Sequence, residues 1–431
     1  MTTRRLAVTV LTLAILFAAG HGAAAGDEHP TPTGGSCRWF MVEADTMMEE
    51  AGGGERLANL CERAHRDGYN GLLFWDSNLW ARRLPRDYMQ NARTLRRTLD
   101  RLHFTLMIEM CPRGVQMLTW SGDPSIVEPR AANPTPEERN YRYICLAHPD
   151  VIPIWEEQIR RAEAIYHPDG WLLGGYDEIR VACADERCRR SGKTPAELLA
   201  EHVRAALAMV RRTTPGRVVA VWNDMFDPYH NAKPGGYYHV RQGFSGAWEG
   251  IDKDVLILNW NDRIESYRFW AARGNPQIFA GFYDGELSRD KEAHLVRQAR
   301  AYPGVIGWMY TTWKANFSVM RPYLALSGFR PSPGTRPESD LPALFLKAPK
   351  PDASQADDKK QDSLPSSAPA ATPPKPDDTQ SADRKDAHDD MSTGNQKKGD
   401  NGMGTGDGKK DDNDSGDDDT DDGDDWGDDG E

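Results

Sequence analysis

A closed barrel of eight parallel strands wrapped by helices, the (β/α)8 or TIM-barrel form of the α/β class, is the fold this sequence predicts. Three observations predict it. Hydrophobic runs of strand length occur eight times between residues 38 and 310, each is followed by a stretch with helical spacing, and most runs are continuous instead of alternating in polarity. Repeated strand-then-helix units give a parallel sheet, and eight of them suffice to close it. A strand covered by side chains within the barrel and by helices outside it has no wet face, so its sequence stays apolar throughout.

The elements follow in order. Arg4 and Arg5 precede an apolar run from Leu6 to Ala19 and then Ala23, Ala24 and Ala25, the pattern of a secretory signal over residues 1–25. That run is shorter than the ~20 residues needed to span a bilayer. A secreted or periplasmic protein without a membrane span is expected, and the paired arginines match the folded-protein export signal only loosely. The barrel is expected over residues 37–330, with strands at 38–43, 71–76, 104–110, 171–176, 218–223, 255–260, 277–283 and 305–310. Helices are expected at 55–65, 88–102, 153–166, 195–212 and 289–301. The fourth starts on Thr194 and Pro195 with Glu197 placed for a capping box. The unit after strand 3 is long and irregular, from Cys111 to about Tyr141, and long loops at the C-terminal face of a barrel shape its site.

Composition changes abruptly near residue 348. A linker at 331–350 leads into residues 351–431, where Asp, Lys, Pro, Ser and Gly dominate and aliphatic residues almost vanish, which predicts a disordered tail. The tail holds 25 acidic and 9 basic side chains, so the preceding body has 41 acids against 44 bases and the net charge of −13 belongs to the tail. A nearly neutral body gives no electrostatic reason to expect nucleic acid. The Asp-rich end, residues 411–431, lacks the spacing and closing Glu of an EF-hand, so weak cation binding by a solvated polyanion is all it offers.

Six cysteines stand at positions 37, 61, 111, 145, 183 and 188. Only Cys183 and Cys188 are close enough in sequence to suggest a local bridge, and no second cysteine or histidine pair stands at zinc-ligand spacing. No metal and no cofactor are expected.

Function is written at the strand ends, where a parallel barrel collects its catalytic groups. Strand 4 breaks off as Gly174-Gly175-Tyr176-Asp177-Glu178. Adjacent carboxyls repel when both ionise, so one tends to hold its proton and can serve as the donor that a glycosidic bond needs for cleavage. The other strands end on Glu43, on Trp75 and Asp76, on Glu109, on Trp222, Asn223 and Asp224, on Asn259, Trp260 and Asn261, on Tyr283 and Asp284, and on Trp308, Tyr310 and Trp313. A pyranose lays its C–H face on an aromatic ring and offers its hydroxyls to Asp, Asn and Glu, so a ring of tryptophans and carboxylates reads as a sugar-binding surface. Any one of these tryptophans is equally well explained as barrel core. Arg180 reads as the ion-pair partner of a nearby acid, and His230 and His239 as loop residues.

On these residues the chain resembles glycoside hydrolase family 20, the β-N-acetylhexosaminidases, over roughly residues 38 to 320. The strongest element is the glycine-rich strand ending in Asp177-Glu178, supported by Trp222, Trp260, Tyr283 with Asp284, and Trp308 or Trp313 in the family's order. The resemblance implies substrate-assisted catalysis on an N-acetylhexosaminide, in which the sugar's own acetamido oxygen attacks the anomeric carbon. It implies Glu178 as general acid and base, Asp177 orienting the acetamido N–H, Tyr283 donating to the acetamido oxygen, and Trp222, Trp260 and Trp308 walling the pocket. Asp76, Glu109, Asp224, Asp284, Tyr310 and Trp313 complete the expected binding surface. At strand 2 only Asp76 corresponds to the family's His-rich segment, and strand 8 lacks its Glu.

Two other readings stay open. A retaining glycosidase of sugars without an acetamido group would keep Glu178 as acid and use Asp284 or Glu286 as nucleophile, with carboxyls ~5 to 5.5 Å apart. A carbohydrate-binding barrel without turnover would keep the aromatic rim alone.

Overall fold

A computed structural model describes residues 37–110, 115–129, 143–234, 243–282, 289–300 and 302–326. Eight parallel strands close on themselves in sequence order: β1 (Cys37–Glu43), β2 (Gly71–Trp75), β3 (Thr105–Glu109), β4 (Gly170–Leu172), β5 (Val218–Trp222), β6 (Leu256–Asn259), β7 (Gln277–Phe282) and β8 (Val305–Thr311). Between and after them run α1 (Asp45–Glu49), α2 (Gly53–Asp67), α3 (Tyr88–Leu102), α4 (Val115–Ser121), α5 (Val151–Tyr166), α6 (Glu186–Arg190), α7 (Pro195–Thr213), α8 (Ile264–Arg273), α9 (Arg289–Arg300) and α10 (Met320–Leu326). This is the expected (β/α)8 barrel. The expected signal, linker and acidic tail lie outside the described residues, and no described helix is long and apolar enough to cross a membrane.

Local chemistry accounts for the helix ends. Thr194 caps α7 through its hydroxyl, which accepts the Glu197 N–H at 3.2 Å, while the Glu197 carboxylate accepts the Thr194 N–H at 2.8 Å and Pro195 fills the first helical position. α2 closes on Gly68 in the left-handed conformation, whose N–H returns to the Ala64 and His65 carbonyls.

The buried side chains separate into two clusters. Alternate residues of the strands, among them Trp39, Met41, Leu73, Met107, Leu172, Ala220, Trp222, Leu256, Leu258, Ile278, Ala280 and Met309, fill the lumen. The intervening residues join the helices in a larger outer cluster. Interstrand register keeps this parity around the ring: Trp39 pairs with Gly71 and Met309, Glu109 with Leu172, and Trp222 with Leu258. At the end where the strands begin, the Trp39 indole lies where a side chain on Gly71 would stand, since a Cβ there would meet it at 2.2 Å. Cys37 crowds Gly307 in the same way, at 2.4 Å between Cβ positions.

Candidate active site

Parity decides what faces the C-terminal mouth. Continuing the lumen set upward brings Glu43 on β1, Trp75 on β2, Glu109 on β3, Trp222 on β5, Trp260 just past β6 and Thr311 on β8 to the top of the barrel. Glu43 is exposed, Trp75 and Trp260 are half-buried, and Glu109, Trp222 and Thr311 are buried. The Trp222 indole N–H donates to Glu109 Oε1 at 3.2 Å, tying β5 to β3 across β4. Trp313, 39% exposed, meets Trp75 edge-on with ring centroids 6.2 Å apart.

β4 is shorter than the sequence predicts. It stops at Leu172, and Gly174–Tyr176 form one 3-10 turn, so Asp177 and Glu178 follow a turn instead of a strand end. Glu109 explains the curl: a Cβ on Gly174 would stand 2.1 Å from Glu109 Oε1, so the glycine lets the chain pass over a carboxylate. The turn is fixed by the Gly175 N–H donating to the Met110 carbonyl at 3.1 Å and by the buried Tyr176 hydroxyl, 2.7 Å from His202 Nδ1.

Glu178 has a left-handed backbone, φ 43°, a conformation that costs a non-glycine residue about 1–3 kcal/mol and persists where surrounding contacts fix it. They do so on both sides. Its N–H donates to Asp224 Oδ2 at 2.9 Å, and its carbonyl accepts the Tyr143 hydroxyl at 2.8 Å. The carboxylate reaches the buried Arg180 guanidinium at 3.5 Å, with 35% of the side chain still open to solvent. Asp177 is likewise half-buried. Neither acid is sealed beneath the helices.

Asp224 lies beneath them, fully buried at the start of a turn after β5. Burial raises its carboxyl well above the usual range and the nearby Asp177 carboxylate adds to this, against the N–H bonds it accepts. Its Oδ2 also accepts from Asn231 at 3.2 Å, while Oδ1 is buried with no hydrogen-bond partner among the described residues. The fold thus biases Asp224 toward the protonated state. Glu43 is raised too, by partial burial and then by Asp45.

Several expected rim residues stand elsewhere. Trp308 and Tyr310 have the outward parity of β8: Trp308 pairs in register with outward Phe279, and Tyr310 packs edge-on against Tyr323 of α10 and bonds the Asn316 carbonyl. Both belong to the outer core and not to the mouth, because the lumen positions of β8 are 307, 309 and 311. Asp76 is also directed away from the lumen. One oxygen caps the turn at Asn78 (3.0 Å) and the other accepts the Tyr88 hydroxyl (2.6 Å), which makes it a buried anchor for α3. Tyr283, Asp284 and Glu286 lie outside the described residues.

The mouth also holds residues that the strand ends alone do not single out. Trp75 faces the lumen while its neighbour Asp76 does not, and His230, expected to be a plain loop residue, packs edge-on against Trp260 with centroids 4.0 Å apart. Burial lowers the His230 ring to about 4, so it is neutral at physiological pH. Beside Trp313 a cavity of about 640 Å³ opens between α2 and the segment after β8, lined by Glu43, Asp45, Arg56, Arg63 and Lys314 among others. At the mouth no three metal-ligating side chains converge among the described residues. The group that does, Glu128, Cys145, Asp185 and Cys188, borders the chain that continues from Glu178. The sequence suggested a bridge from Cys183 to Cys188, but all five described cysteines are free thiols and Cys145 lies 3.7 Å from the Cys188 sulfur.

No family model matches the sequence, and none of the curated proteins is significantly similar to it. Among solved structures, the chain is similar to a Vibrio harveyi GH20 exo-β-N-acetylglucosaminidase, an inactive mutant, with 13% identity over 68% of this chain and 53% of that one and a TM-score of 0.45. A β-N-acetylhexosaminidase matches at 13% identity, 71% and 74% coverage and TM-score 0.48. A family 89 glycoside hydrolase from Clostridium perfringens matches at 9% identity, 70% and 38% coverage and TM-score 0.48. The chain spans about half the length of the Vibrio protein.

Proposed function

We infer that this protein is a glycoside hydrolase, and in the finer reading one that acts on β-linked N-acetylhexosaminides with help from the substrate's acetamido group. The observation that carries the reading is the half-exposed Asp177–Glu178 pair, anchored by Asp224 at a mouth whose lumen-facing layer interleaves Glu43, Trp75, Glu109, Trp222 and Trp260. In the proposed reaction Glu178 donates a proton to the glycosidic oxygen while the acetamido oxygen attacks the anomeric carbon. The leaving sugar departs as an alcohol, and the positive oxazolinium ring forms beside the Asp177 carboxylate, which accepts the acetamido N–H. Glu178, now ionised, takes a proton from the water that opens the ring, giving net retention. The indoles of Trp75 and Trp313 offer edges and faces to the sugar's C–H surface. Residues 1–25 would direct the enzyme out of the cytoplasm.

The test is a panel of aryl glycosides with and without the 2-acetamido group. The reading expects chromophore release only from acetamido sugars, with Glu178→Gln lowering kcat by about 10² to 10⁴. Equal turnover of sugars lacking the acetamido group would replace substrate assistance with a two-carboxylate mechanism. Binding without turnover across the panel would leave only a carbohydrate-binding barrel.

A further inference from the structure

The loop that continues from Glu178 ends in a side-chain cluster that takes no part in the proposed glycosidase chemistry and does not depend on it. Glu128, Cys145 and Cys188 are buried, Asp185 is half-buried, and one ligand atom from each lies within 4.8 Å of all the others. The two sulfurs are 3.7 Å apart, and the Cys188 sulfur is 3.7 Å from Glu128 Oε1. Two thiolates at Zn–S distances of ~2.3 Å on a tetrahedral ion stand about 3.8 Å apart, so the sulfurs already have the separation of a tetrahedron edge.

The backbone holds these ligands in place. Antiparallel bonds join the segments of Glu128 and Cys145, with the Glu128 N–H on the Tyr143 carbonyl at 2.7 Å and the Cys145 N–H on the Ile126 carbonyl at 2.8 Å. The Glu128 carboxylate accepts the N–H groups of Cys183, Ala184 and Asp185, at 2.9 to 3.1 Å, which fixes the third segment against the first. Asp185 Oδ1 accepts the Cys188 N–H at 3.0 Å, whereas Oδ2 is buried without a hydrogen bond among the described residues. Four acidic groups, three of them buried and Asp185 half-buried, thus converge within 4.8 Å of one another.

We propose that Glu128, Cys145, Asp185 and Cys188 form a structural zinc site that pins the loop carrying Glu178. Two sulfur ligands select a borderline-soft ion such as zinc over calcium or magnesium, which take oxygen alone. Binding displaces one proton from each thiol, so two thiolates and two carboxylates face Zn²⁺, and Arg187 and Arg189 line the adjoining cavity. That cavity, about 820 Å³, reaches Glu128 and Asp185 from the surface and provides the entry path. The site grips the loop carrying Glu178 twice, since Tyr143, two residues from Cys145, also bonds the Glu178 carbonyl. Sequence spacing hides the arrangement because its ligands come from three segments.

The experiment uses the full chain, purified under reducing conditions with zinc and then dialysed. Elemental analysis is expected to find about one zinc per chain, and cobalt replacement to give sulfur-to-cobalt charge-transfer absorption. Cys145→Ser with Cys188→Ser should abolish both. Asp185→Asn, a milder change that keeps the cysteines, should weaken zinc binding about tenfold or more, and Cys61→Ala, on α2, should leave it unchanged. Chelation should raise backbone hydrogen exchange across residues 178–188. A chain that binds no zinc, or one whose Cys145 and Cys188 are recovered as a disulfide-linked peptide from non-reducing purification, overturns the proposal.

Discussion

The backbone N–H of Glu178 donates to Asp224 Oδ2 across 2.9 Å, so a residue after β5 sets the conformation of an acid after β4. Asp224 is buried, and burial together with Asp177 holds it toward its neutral form. A neutral isostere should therefore serve. Asp224→Asn is expected to retain the fold and most of any turnover, while Asp224→Ala, which leaves the Glu178 N–H without its acceptor, should cost about 1–3 kcal/mol and most of the activity. Because the folded pKa is raised, the folded chain keeps a proton that the unfolded chain has released, and wild-type stability falls as pH rises above the unfolded value. The stability of Asp224→Asn relative to wild type should consequently grow with pH, which urea denaturation at several pH values would measure.

Asp76 makes the same argument with a number. Burial raises it from 3.8 to about 7, against the Tyr88 hydroxyl that it accepts. A shift of about three units corresponds to up to about 4 kcal/mol. That contribution is present below pH 4 and is lost as pH rises toward 7. Asp76→Asn can still accept from Asn78 and donate to Tyr88, so it should flatten the decline between pH 4 and 7 without changing substrate affinity.

Gly174 tests the packing of the β4 turn. Alanine there would bring a methyl group within 2.1 Å of Glu109 Oε1, and Glu109 is held by Trp222. Gly174→Ala should destabilise the barrel by about 1–3 kcal/mol. Shortening the acid in a Gly174→Ala, Glu109→Asp double variant should return part of that loss, and thermal melts of the four proteins complete the cycle.

Trp313 and Trp308 separate the rim from the outer core. Trp313 is 39% exposed beside Trp75, and Trp308 is buried under the helices. Trp313→Ala should raise KM for a glycoside with little change in Tm, and Trp308→Ala should lower stability by about 3–5 kcal/mol with KM intact.

The fold was legible because repetition reveals it: eight apolar runs with helical stretches between them leave few alternatives, and α3 falls on the expected residues. Side-chain facing was legible only in part. A strand buried on both sides carries no polarity alternation, so Trp308 and Tyr310 looked as suited to the lumen as Met309, and Trp75 could not be told from Asp76. The register with Phe279 and Ala280 decides it, and that is tertiary information. The Asp177–Glu178 pair stood out because two acids after an apolar glycine run fit no core. Its dependence on Asp224 did not, since 46 residues separate the two. Cys145 likewise meets Glu128 through backbone pairing at Val127 and Ile144, and Cys188 through the segment whose N–H groups Glu128 accepts, beyond the reach of local spacing.

The Trp39 indole over Gly71 and Cys37 over Gly307 shut the floor of the cylinder. In the proposed reaction, water, sugar and departing fragment would then share a single doorway. A monosaccharide released in that reaction and lingering there would obstruct the next arrival, which would make product a competitor of substrate and tie throughput to how readily the threshold clears.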